Sequence, residues 1–299
     1  MKFWTHSDPR GCGIQVRIAA EQRGHKHIAS PRHGTPDVAY IRTINYGLHK
    51  KISLEALKLI ASKEVPHIPG VGAYALYDNK LNQYRAENLY PWIPRTYCLY
   101  SLQEAYKIAE FIPLPVVSKA SHGSGSQCVR LIEDRASLVK EARKVFGDGI
   151  KLGHAVQKDY VIWQRFIPGN SGDVRVVVAG SRMYGLFRRN RPDVPFASGS
   201  GDTNPITNLH GIHTYAAFSL AREIAKKMGF PWSCYDIVFD GDKPLCLEMS
   251  FSWTEQSYNH CPTFTTKDFA LSKTMACDWP EFAVDLMEEM YERSPKKIP

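Results

Sequence analysis

The sequence lacks the features that mark membrane, secreted and disulfide-stabilised proteins. No apolar run approaches the roughly 18 residues that a membrane-spanning helix needs. The opening residues, MKFWTHSDPRGCG, contain no apolar core of the kind found in signal peptides, so we expect a cytoplasmic protein without membrane partners. The cysteines are scattered, odd in number and never form C-x-x-C, which argues against a disulfide framework and a zinc site: they are Cys12, Cys98, Cys128, Cys234, Cys246, Cys261 and Cys277.

The sequence also lacks the motifs of nucleic-acid readers and of enzymes that use a covalent nucleophile. It has no run of five or more Lys and Arg residues, no zinc-finger spacing and no RNP-like motif. No G-x-S-x-G or Cys/His arrangement indicates a nucleophile. It does have a net charge of +8, from 38 Lys and Arg against 30 Asp and Glu. This charge favours anionic partners and agrees better with phosphate binding than with groove recognition, so nucleic acid is a partner that no motif supports.

Strand-like and helix-like segments alternate along the 299 residues, a length that can hold one to three domains. The strand MKFWTHS, a glycine turn through Gly13 and the helical stretch from Ile14 to Arg23 follow the order in which open α/β sheets begin. A Pro-rich bridge from Pro91 to Pro94 marks the first domain boundary. The irregular segment from Asn190 to His210 has the length and composition that are typical of functional loops.

A lysine and a glycine-rich loop lie next to each other in the middle of the chain. The predicted strand from Pro113 to Lys119 ends directly before the loop HGSGSQ (122–127). A helix is predicted to begin at Asp134, and the strand from Val161 to Ile167 then leads into a polar turn. A cation beside a loop of free backbone N–H groups is an arrangement that suits phosphate.

The segment YDIVFDGDKPLCLEMS (235–250) predicts a β-hairpin around a D-G-D turn. The simplest register that joins the apolar residues of the two strands pairs Phe239 with Leu245 and Ile237 with Leu247. Alternation along the second strand then puts three apolar residues on one face: Leu245, Leu247 and Met249.

This register places two acids directly opposite each other, Asp236 and Glu248, with Ser250 on the same face. Like charges in directly opposite positions destabilise a hairpin, so a positive group must offset them. A hard divalent cation with oxygen ligands is one candidate. The alternative is that both acids face solvent on an edge hairpin.

Taken in order, these segments resemble the ATP-grasp proteins, in particular the branch that contains glutathione synthetase and ribosomal protein S6 glutamate ligase. The resemblance covers most of residues 75–255 and is loose over residues 1–75. Its specificity comes from the order and spacing of the segments rather than from any one of them: YDNKLNQYR (77–85), PVVSKASHGSGSQCV (115–129), YVIWQRFIPGNSGDVRVVVAG (160–180), LFRRNRPDVPFASGSG (186–201) and DIVFDGDKPLCLEMS (236–250).

The resemblance implies an α/β (α+β) architecture in three parts. We expect an N-terminal open α/β domain over 1–93 and a small lid subdomain over 94–164. A C-terminal antiparallel sheet with helices is expected over 165–299.

The resemblance also implies an ATP site. Lys119 matches the family's phosphate-binding lysine, and Lys80 matches its second lysine less closely. Gly123, Ser124 and Gly125 match the loop that closes over the phosphates.

Adenine and ribose contacts are implied by the next matching segment. Gln164, Arg165, Phe166 and Ile167 match the hinge that meets the adenine ring, although the last two equally suit packing. Asp173 matches the acid that accepts hydrogen bonds from the ribose hydroxyls.

The same comparison assigns metal to the hairpin acids. Asp236, Glu248 and Ser250 match the residues that hold two Mg²⁺ ions between the β- and γ-phosphates, with Mn²⁺ able to substitute. The family usually has asparagine where this chain has Ser250, which puts the two-ion arrangement in question.

Two arginines, Arg175 and Arg189, match family residues that face the reacting phosphate and carboxylate. A guanidinium group suits such anions because it donates in a fork and stays charged. Arg188 competes with Arg189, because alternation sends neighbouring residues to opposite faces of a strand.

The resemblance implies an ADP-forming carboxylate–amine ligase that acts through an acyl phosphate. Its substrates would be a small-molecule or peptide carboxylate and an amine acceptor. Two alternatives remain open at this point: a kinase of the same fold that phosphorylates a hydroxyl group, and a nucleotide-binding module without turnover. The sequence does not indicate an oligomeric state.

Overall fold

The computed structural model describes residues 1–6, 12–42, 47–85, 91–123, 128–152, 155–199, 202–273 and 277–294. These residues form a mixed α/β fold with three larger sheets, in agreement with the predicted class. Its helices are α1 (Cys12–Gln22), α2 (Gly47–Ser62), α3 (Val71–Leu76), α4 (Lys80–Arg85), α5 (Leu102–Phe111), α6 (Arg135–Gly147), α7 (Ile212–Met228) and α8 (Trp279–Arg293). No helix among the described residues combines the length and the apolar character needed to cross a membrane.

The strands are β1 (Lys2–His6), β2 (Lys26–His27), β3 (Val38–Ile41), β4 (His67–Ile68), β5 (Thr96–Leu99), β6 (Val116–Lys119), β7 (Val129–Ile132), β8 (Ile150–Leu152), β9 (Ala155–Gln157), β10 (Val161–Arg165), β11 (Gly172–Ala179), β12 (Arg182–Arg189), β13 (Thr203–Pro205), β14 (Trp232–Asp240), β15 (Lys243–Ser250), β16 (Thr263–Thr265) and β17 (Leu271–Lys273). A short 3₁₀ helix spans Glu255–Tyr258. The predicted irregular segment 190–210 contains only β13 and one isolated bridge among its described residues.

The first sheet is parallel, with the order β2–β1–β3–β4. It is parallel because helical crossovers, α1 and α2, connect its strands, as the strand–turn–helix opening of the chain predicted. α2 covers one face, where Leu57 and Ile60 pack on the strands. On the other face α1 packs together with the last helix, α8.

The second sheet is antiparallel, with the order β5–β10–β6–β7, and it carries α5 and α6 on one face. Both helices begin at capping residues. The Ser101 hydroxyl accepts from the Glu104 backbone N–H at 3.1 Å, as the capping box predicted. The Asp134 carboxylate accepts from Ser137 N–H in the same way at 2.8 Å. Trp163 is fully buried in the core between sheet and helices.

The third sheet is antiparallel and follows the order β15–β14–β11–β12–β16–β17, with β13 paired to β12. α7 covers one face. On the opposite face β11 changes character along its length. Val177 and Ala179 are buried against α1 and α8, whereas Asp173 and Arg175, at the other end, carry charge. Gly172 permits the close pairing of β11 with β12, because a Cβ there would lie 2.1 Å from a backbone carbonyl oxygen.

The predicted hairpin exists, with its turn at Gly241 (φ +62°), and Asp236 lies opposite Glu248 as expected. The predicted apolar pairs are wrong, because a β-bulge follows Asp236 and shifts the register. Val238 therefore pairs with Leu245. Two residues predicted to share a face separate: Leu245 packs with Val238 and Ile167, whereas Met249 packs under α7.

Candidate active site

A cavity of about 390 Å³ lies between the second and third sheets. Its walls are β6 and β10 on one side and the charged end of β11, β12, β14 and β15 on the other. The charged lining residues are five cations, Lys80, Lys119, Arg165, Arg175 and Arg188, and four acids, Asp78, Asp173, Asp236 and Glu248. This small positive excess favours an anionic ligand.

Lys119 ends β6 and is almost fully buried in the cavity wall. Its Nζ atom donates to Gln164 Oε1 at 2.6 Å and to the Tyr84 hydroxyl at 3.3 Å, and it lies over the Tyr84 ring. Burial lowers the pKa of Lys119 to about 8, although the nearby Glu248 carboxylate opposes this shift. Burial therefore makes the charged form of Lys119 unfavourable, and an anionic ligand beside its Nζ atom would stabilise that form.

Lys80 is the first residue of α4 and is also buried. Its Nζ atom lies 3.1 Å from Glu248 Oε1 and donates to the Gly123 carbonyl oxygen at 3.1 Å. Lys80 thus joins the beginning of the glycine loop to the acidic hairpin. Ser124 and Gly125 lie outside the described residues.

Asp78 is hydrogen-bonded to the beginning of the same loop and holds it in place. Its carboxylate accepts from the Gly123 backbone N–H at 2.7 Å and lies 3.4 Å from Lys50 Nζ, while His122 donates to its backbone carbonyl. Burial raises the pKa of Asp78, but the hydrogen bonds from His122 and Gly123 outweigh it and leave the pKa lowered. The anchor is therefore ionised at neutral pH.

The predicted hinge forms the end of β10 and the turn after it. Gln164 is buried, and its amide links Lys119 to Thr96 Oγ1. Phe166 and Ile167 line the cavity, and among the described residues no acceptor binds the Ile167 backbone N–H. Arg165 is partly exposed and pairs with Asp240 on the opposite wall at 2.6 Å. The hinge thus offers an apolar surface with one free backbone donor.

Two arginines bind the hairpin acid Asp236. Arg175 donates through Nε and Nη2 to its two carboxylate oxygens at 2.6 and 2.7 Å. Arg188 Nη2 lies 2.7 Å from the same carboxylate. Burial raises the pKa of Asp236, but the two guanidinium groups outweigh it and hold the pKa well below its usual range. Among the described residues, no contact involves Nη1 of either arginine, so each retains one terminal donor.

Asp173 shares Arg188 with Asp236. Arg188 Nε donates to the Asp173 carboxylate at 2.7 Å, and the Ser198 hydroxyl donates to its other oxygen. Burial raises the pKa of Asp173, and the nearby Asp236 charge raises it further. The Arg188 charge lowers this pKa but does not cancel the rise. Asp173, which was predicted to contact the ribose, thus lines the cavity, but both of its carboxylate oxygens already accept hydrogen bonds from this chain.

Arg189 is not brought into the cavity. It pairs with Gly172 on the opposite face of the sheet and is exposed, whereas Arg188 pairs with Asp173 and faces the charged residues. A one-residue difference in strand position exchanges the two faces, and Arg188 has the position that was predicted for Arg189.

The repulsion between Asp236 and Glu248 is offset by cations of this chain. Arginines neutralise the first acid, and Lys80 lies against the second. Within the described ranges, no group of three His, Cys, Asp or Glu residues converges as a metal site. The available oxygen ligands are the two carboxylates and the Ser250 hydroxyl, which has no hydrogen-bond partner among the described residues. These are hard oxygen donors in one cavity, the kind that Mg²⁺ prefers, and here they have cationic partners of this chain: Arg175 and Arg188 on Asp236, and Lys80 on Glu248.

Two site residues were missed by the sequence prediction, Asp78 and Tyr84, and a third, Arg188, was considered there only as the competitor of Arg189. Arg188 and Asp78 both stand in the matching segments, but only the strand register and the loop contact show their places. Tyr84 gave a weaker signal as an aromatic residue in YDNKLNQYR; its hydroxyl donates to the Leu247 carbonyl at 2.7 Å.

No protein-family model matches the chain, and no curated protein matches its sequence. Solved structures match it over nearly its whole length. A RimK-domain ATP-grasp protein from Sphaerobacter thermophilus DSM 20745 is 18% identical, with a TM-score of 0.60 over 96% of this chain and 100% of that chain. The ATP-grasp ligase PsnB, complexed with a minimal precursor, Mg and ADP, is 12% identical, with a TM-score of 0.61 over 98% of both chains. D-cycloserine synthetase DcsG is 15% identical, with a TM-score of 0.61 over 97% of this chain and 100% of that chain. Such identities establish a shared fold, and the fold predicted from the motifs is confirmed.

Proposed function

We propose that this chain, which has the ATP-grasp fold, is an ATP-dependent, ADP-forming carboxylate–amine ligase that works through an acyl phosphate. The observation that carries the proposal is the cavity wall in which three buried cations, Lys80, Lys119 and Arg188, and the half-buried Arg175 stand beside the paired acids of the hairpin. Such a wall suits a reaction in which phosphate, carboxylate and tetrahedral intermediate are all anions. The three parts over 1–93, 94–164 and 165–299 are proposed as its domains.

ATP would lie with its adenine at the hinge and its phosphates at the two lysines. The free N–H of Ile167 can donate to an adenine ring nitrogen, with Phe166 and Val238 in the same wall. Lys119 and Lys80 are proposed to hold the phosphates beneath the glycine loop that Asp78 anchors. The ribose contact proposed for Asp173, with Gln164 and Arg165 near the nucleotide, completes this half of the site.

The metal ligands are proposed to be Asp236, Glu248 and Ser250. The bound Mg²⁺ ion would neutralise charge on the β- and γ-phosphates, a role supported by PsnB, which was solved with Mg and ADP. Phosphate binding to Lys80 would release the Glu248 carboxylate from its ion pair. This exchange couples nucleotide binding to completion of the metal ligand set.

The proposed chemistry has two steps. A substrate carboxylate oxygen attacks the γ-phosphorus, the bond to the bridging oxygen breaks, and ADP leaves. The amine then attacks the carbonyl carbon of the acyl phosphate, inorganic phosphate leaves with the bonding pair, and the nitrogen loses a proton to solvent. Arg175 and Arg188 can stabilise both anionic stages through their remaining Nη1 donors.

The test is interception of the acyl phosphate by hydroxylamine. Purified protein with ATP, Mg²⁺ and pools of carboxylates should give hydroxamate and ADP in equal amounts without any natural amine. Arg175→Lys, which keeps the charge but loses the two-pronged donor, should reduce hydroxamate yield far more than ATP affinity. Lys58→Ala, an exposed lysine on α2, is the matched control and should change neither.

Other outcomes identify the alternatives. A stable phosphoester with ADP and no hydroxamate would establish a kinase in place of the ligase. ATP binding without turnover on any carboxylate or hydroxyl pool would leave a nucleotide-binding module.

A further inference from the structure

The strand β15, which carries Glu248, is the edge strand of the third sheet. The hydrogen-bonded order of that sheet begins at β15, so no further strand among the described residues pairs with its outer side. Proteins commonly cover such an edge with a helix or a loop. Here the short helix α4, which also carries Lys80, is hydrogen-bonded to the edge of β15.

Two neighbouring residues of α4 bind the backbone on either side of Glu248. Gln83 Oε1 accepts from the Met249 backbone N–H at 2.9 Å, and Gln83 Nε2 donates to the Met249 carbonyl at 2.8 Å. The Tyr84 hydroxyl donates to the Leu247 carbonyl at 2.7 Å. Gln83 thus pairs with both backbone groups of one residue, as a neighbouring strand would.

The β-bulge of the hairpin lies directly before Glu248. The register of β15 on β14 passes from Glu248 to Cys246 in one step, so within the described hairpin Leu247 lies opposite no residue of β14. A bulge disrupts the ladder and changes the direction of neighbouring side chains. The backbone next to Glu248 is therefore held less firmly by β14, and the two α4 residues supply hydrogen bonds at this point.

Gln83 is itself held in one orientation. Its side chain is almost fully buried, and Nε2 also donates to the Leu76 carbonyl of α3 at 2.8 Å. If the amide were rotated by 180°, its NH₂ group would face the Met249 N–H, and two donors would oppose each other. The first turn of α4 is fixed as well, because the Lys80 backbone N–H donates to the Ser121 carbonyl at 2.9 Å.

We propose that Gln83 and Tyr84 are positioning residues, which hold the backbone around Glu248 so that its carboxylate lies in the cavity beside Lys80. Neither residue is among the described residues that line the cavity, so they act through others. This inference rests on the proposed function, in which Glu248 is a metal ligand. The loss of a partner that orients a metal ligand typically lowers metal affinity about 10- to 100-fold.

The experiment measures how much Mg²⁺ strengthens the binding of AMPPNP, a non-hydrolysable analogue of ATP. Isothermal titration calorimetry gives its Kd in EDTA and at saturating Mg²⁺, and the ratio of these two values is here called the magnesium enhancement. Gln83→Met keeps the size of the side chain and loses its hydrogen bonds. This variant should reduce the magnesium enhancement about tenfold and leave the Kd in EDTA unchanged.

A double-mutant cycle separates positioning from a general loss of stability. Glu248→Gln alone should reduce the magnesium enhancement at least as much as Gln83→Met does. The double variant Gln83→Met/Glu248→Gln should show no further reduction, because a residue that acts through Glu248 has no effect once that carboxylate is gone.

Two single variants complete the set. Tyr84→Phe keeps the ring beside Lys119, loses one of the three hydrogen bonds to β15 and should reduce the magnesium enhancement about threefold, which tests the proposal even if Gln83→Met does not fold. Asn82→Ala is the matched control on the same helix. It removes a hydrogen bond to the Ala75 carbonyl of α3 and should leave the magnesium enhancement unchanged.

The possible failures are distinguishable. An unchanged magnesium enhancement in Gln83→Met and Tyr84→Phe, additive reductions in the double variant, or an equal reduction in Asn82→Ala would overturn the positioning role and leave the proposed site standing. If Mg²⁺ does not strengthen AMPPNP binding to the wild-type protein, or if Glu248→Gln keeps the full enhancement, then Glu248 is not a metal ligand. That part of the proposed function would then be wrong, and the positioning role with it.

Discussion

The pKa of Lys119 predicts that ATP binding takes up a proton. Burial lowers this pKa from 10.5 to about 8, which corresponds to about 3 kcal/mol against the charged form. Because the pKa is lowered, the unfolded chain binds more protons between about pH 8 and 10.5. The burial of charged Lys119 therefore lowers the free energy of unfolding by its full amount below about pH 8. This penalty decreases between pH 8 and 10.5 and is absent above 10.5.

The phosphates of ATP would return the lysine to its charged form. With a pKa of about 8, half of the Lys119 side chains are neutral at pH 8 and about a tenth at pH 7. Binding should thus take up about half a proton per ATP at pH 8 and about 0.1 at pH 7 from this residue. Isothermal titration calorimetry in two buffers of different ionisation enthalpy measures the uptake.

The variant Lys119→Gln removes the titrating group and should abolish the pH-8 uptake as well as weakening ATP binding. Lys58→Gln, at an exposed position, should leave the uptake unchanged. If the wild-type protein takes up no proton at pH 8, or if Lys119→Gln takes up as much, Lys119 is not the phosphate-binding lysine.

Further predictions concern the third sheet. Asp236→Asn should lower the free energy of unfolding by about 3 kcal/mol or more in urea denaturation, because it leaves the buried Arg188 and the half-buried Arg175 without this carboxylate, whereas Glu248→Gln should cost under about 1 kcal/mol. Equal losses would contradict the ion-pair assignment. Since the pKa of Asp236 is lowered, its contribution should persist at neutral pH and disappear only in strong acid, which a pH series of the same denaturation would show. Arg188→Ala should abolish ADP release and Arg189→Ala should leave it intact; the reverse result would favour Arg189, the residue matched to the family from the sequence. Ser250→Asn should lower the Mg²⁺ concentration needed for half-maximal ADP release, and an unchanged requirement with lower stability would count against a metal role for Ser250.

The sequence predicted the parts of the site that depend on local pattern. The turn chemistry and alternation of the hairpin were enough to place Asp236 opposite Glu248. Lys119 was placed at a strand end by the apolar run before it and the glycine loop after it. The order of the matching segments along the chain was enough to predict the fold.

What the sequence could not supply depends on contacts between distant segments. The bulge after Asp236 cannot be recognised from the alternation of residues in the sequence, so the apolar pairs predicted beyond it were wrong. The choice between Arg188 and Arg189 required the register of β12 on β11. The charge that offsets the hairpin acids comes from Arg175, 61 positions before Asp236, and a pattern read along one hairpin cannot contain it.

The position of α8 has a consequence for how the protein is made. This helix, formed by residues 279–293, closes the face of the first sheet, where Phe282 and Met287 share one core with Phe3 and Val16. During synthesis the N-terminal sheet therefore emerges long before the helix that covers it. Domains commonly fold one after another from the N-terminus. Here the core of the first sheet is complete only after α8, one of the last elements, has been synthesised. An N-terminal fragment produced alone would therefore expose that apolar face.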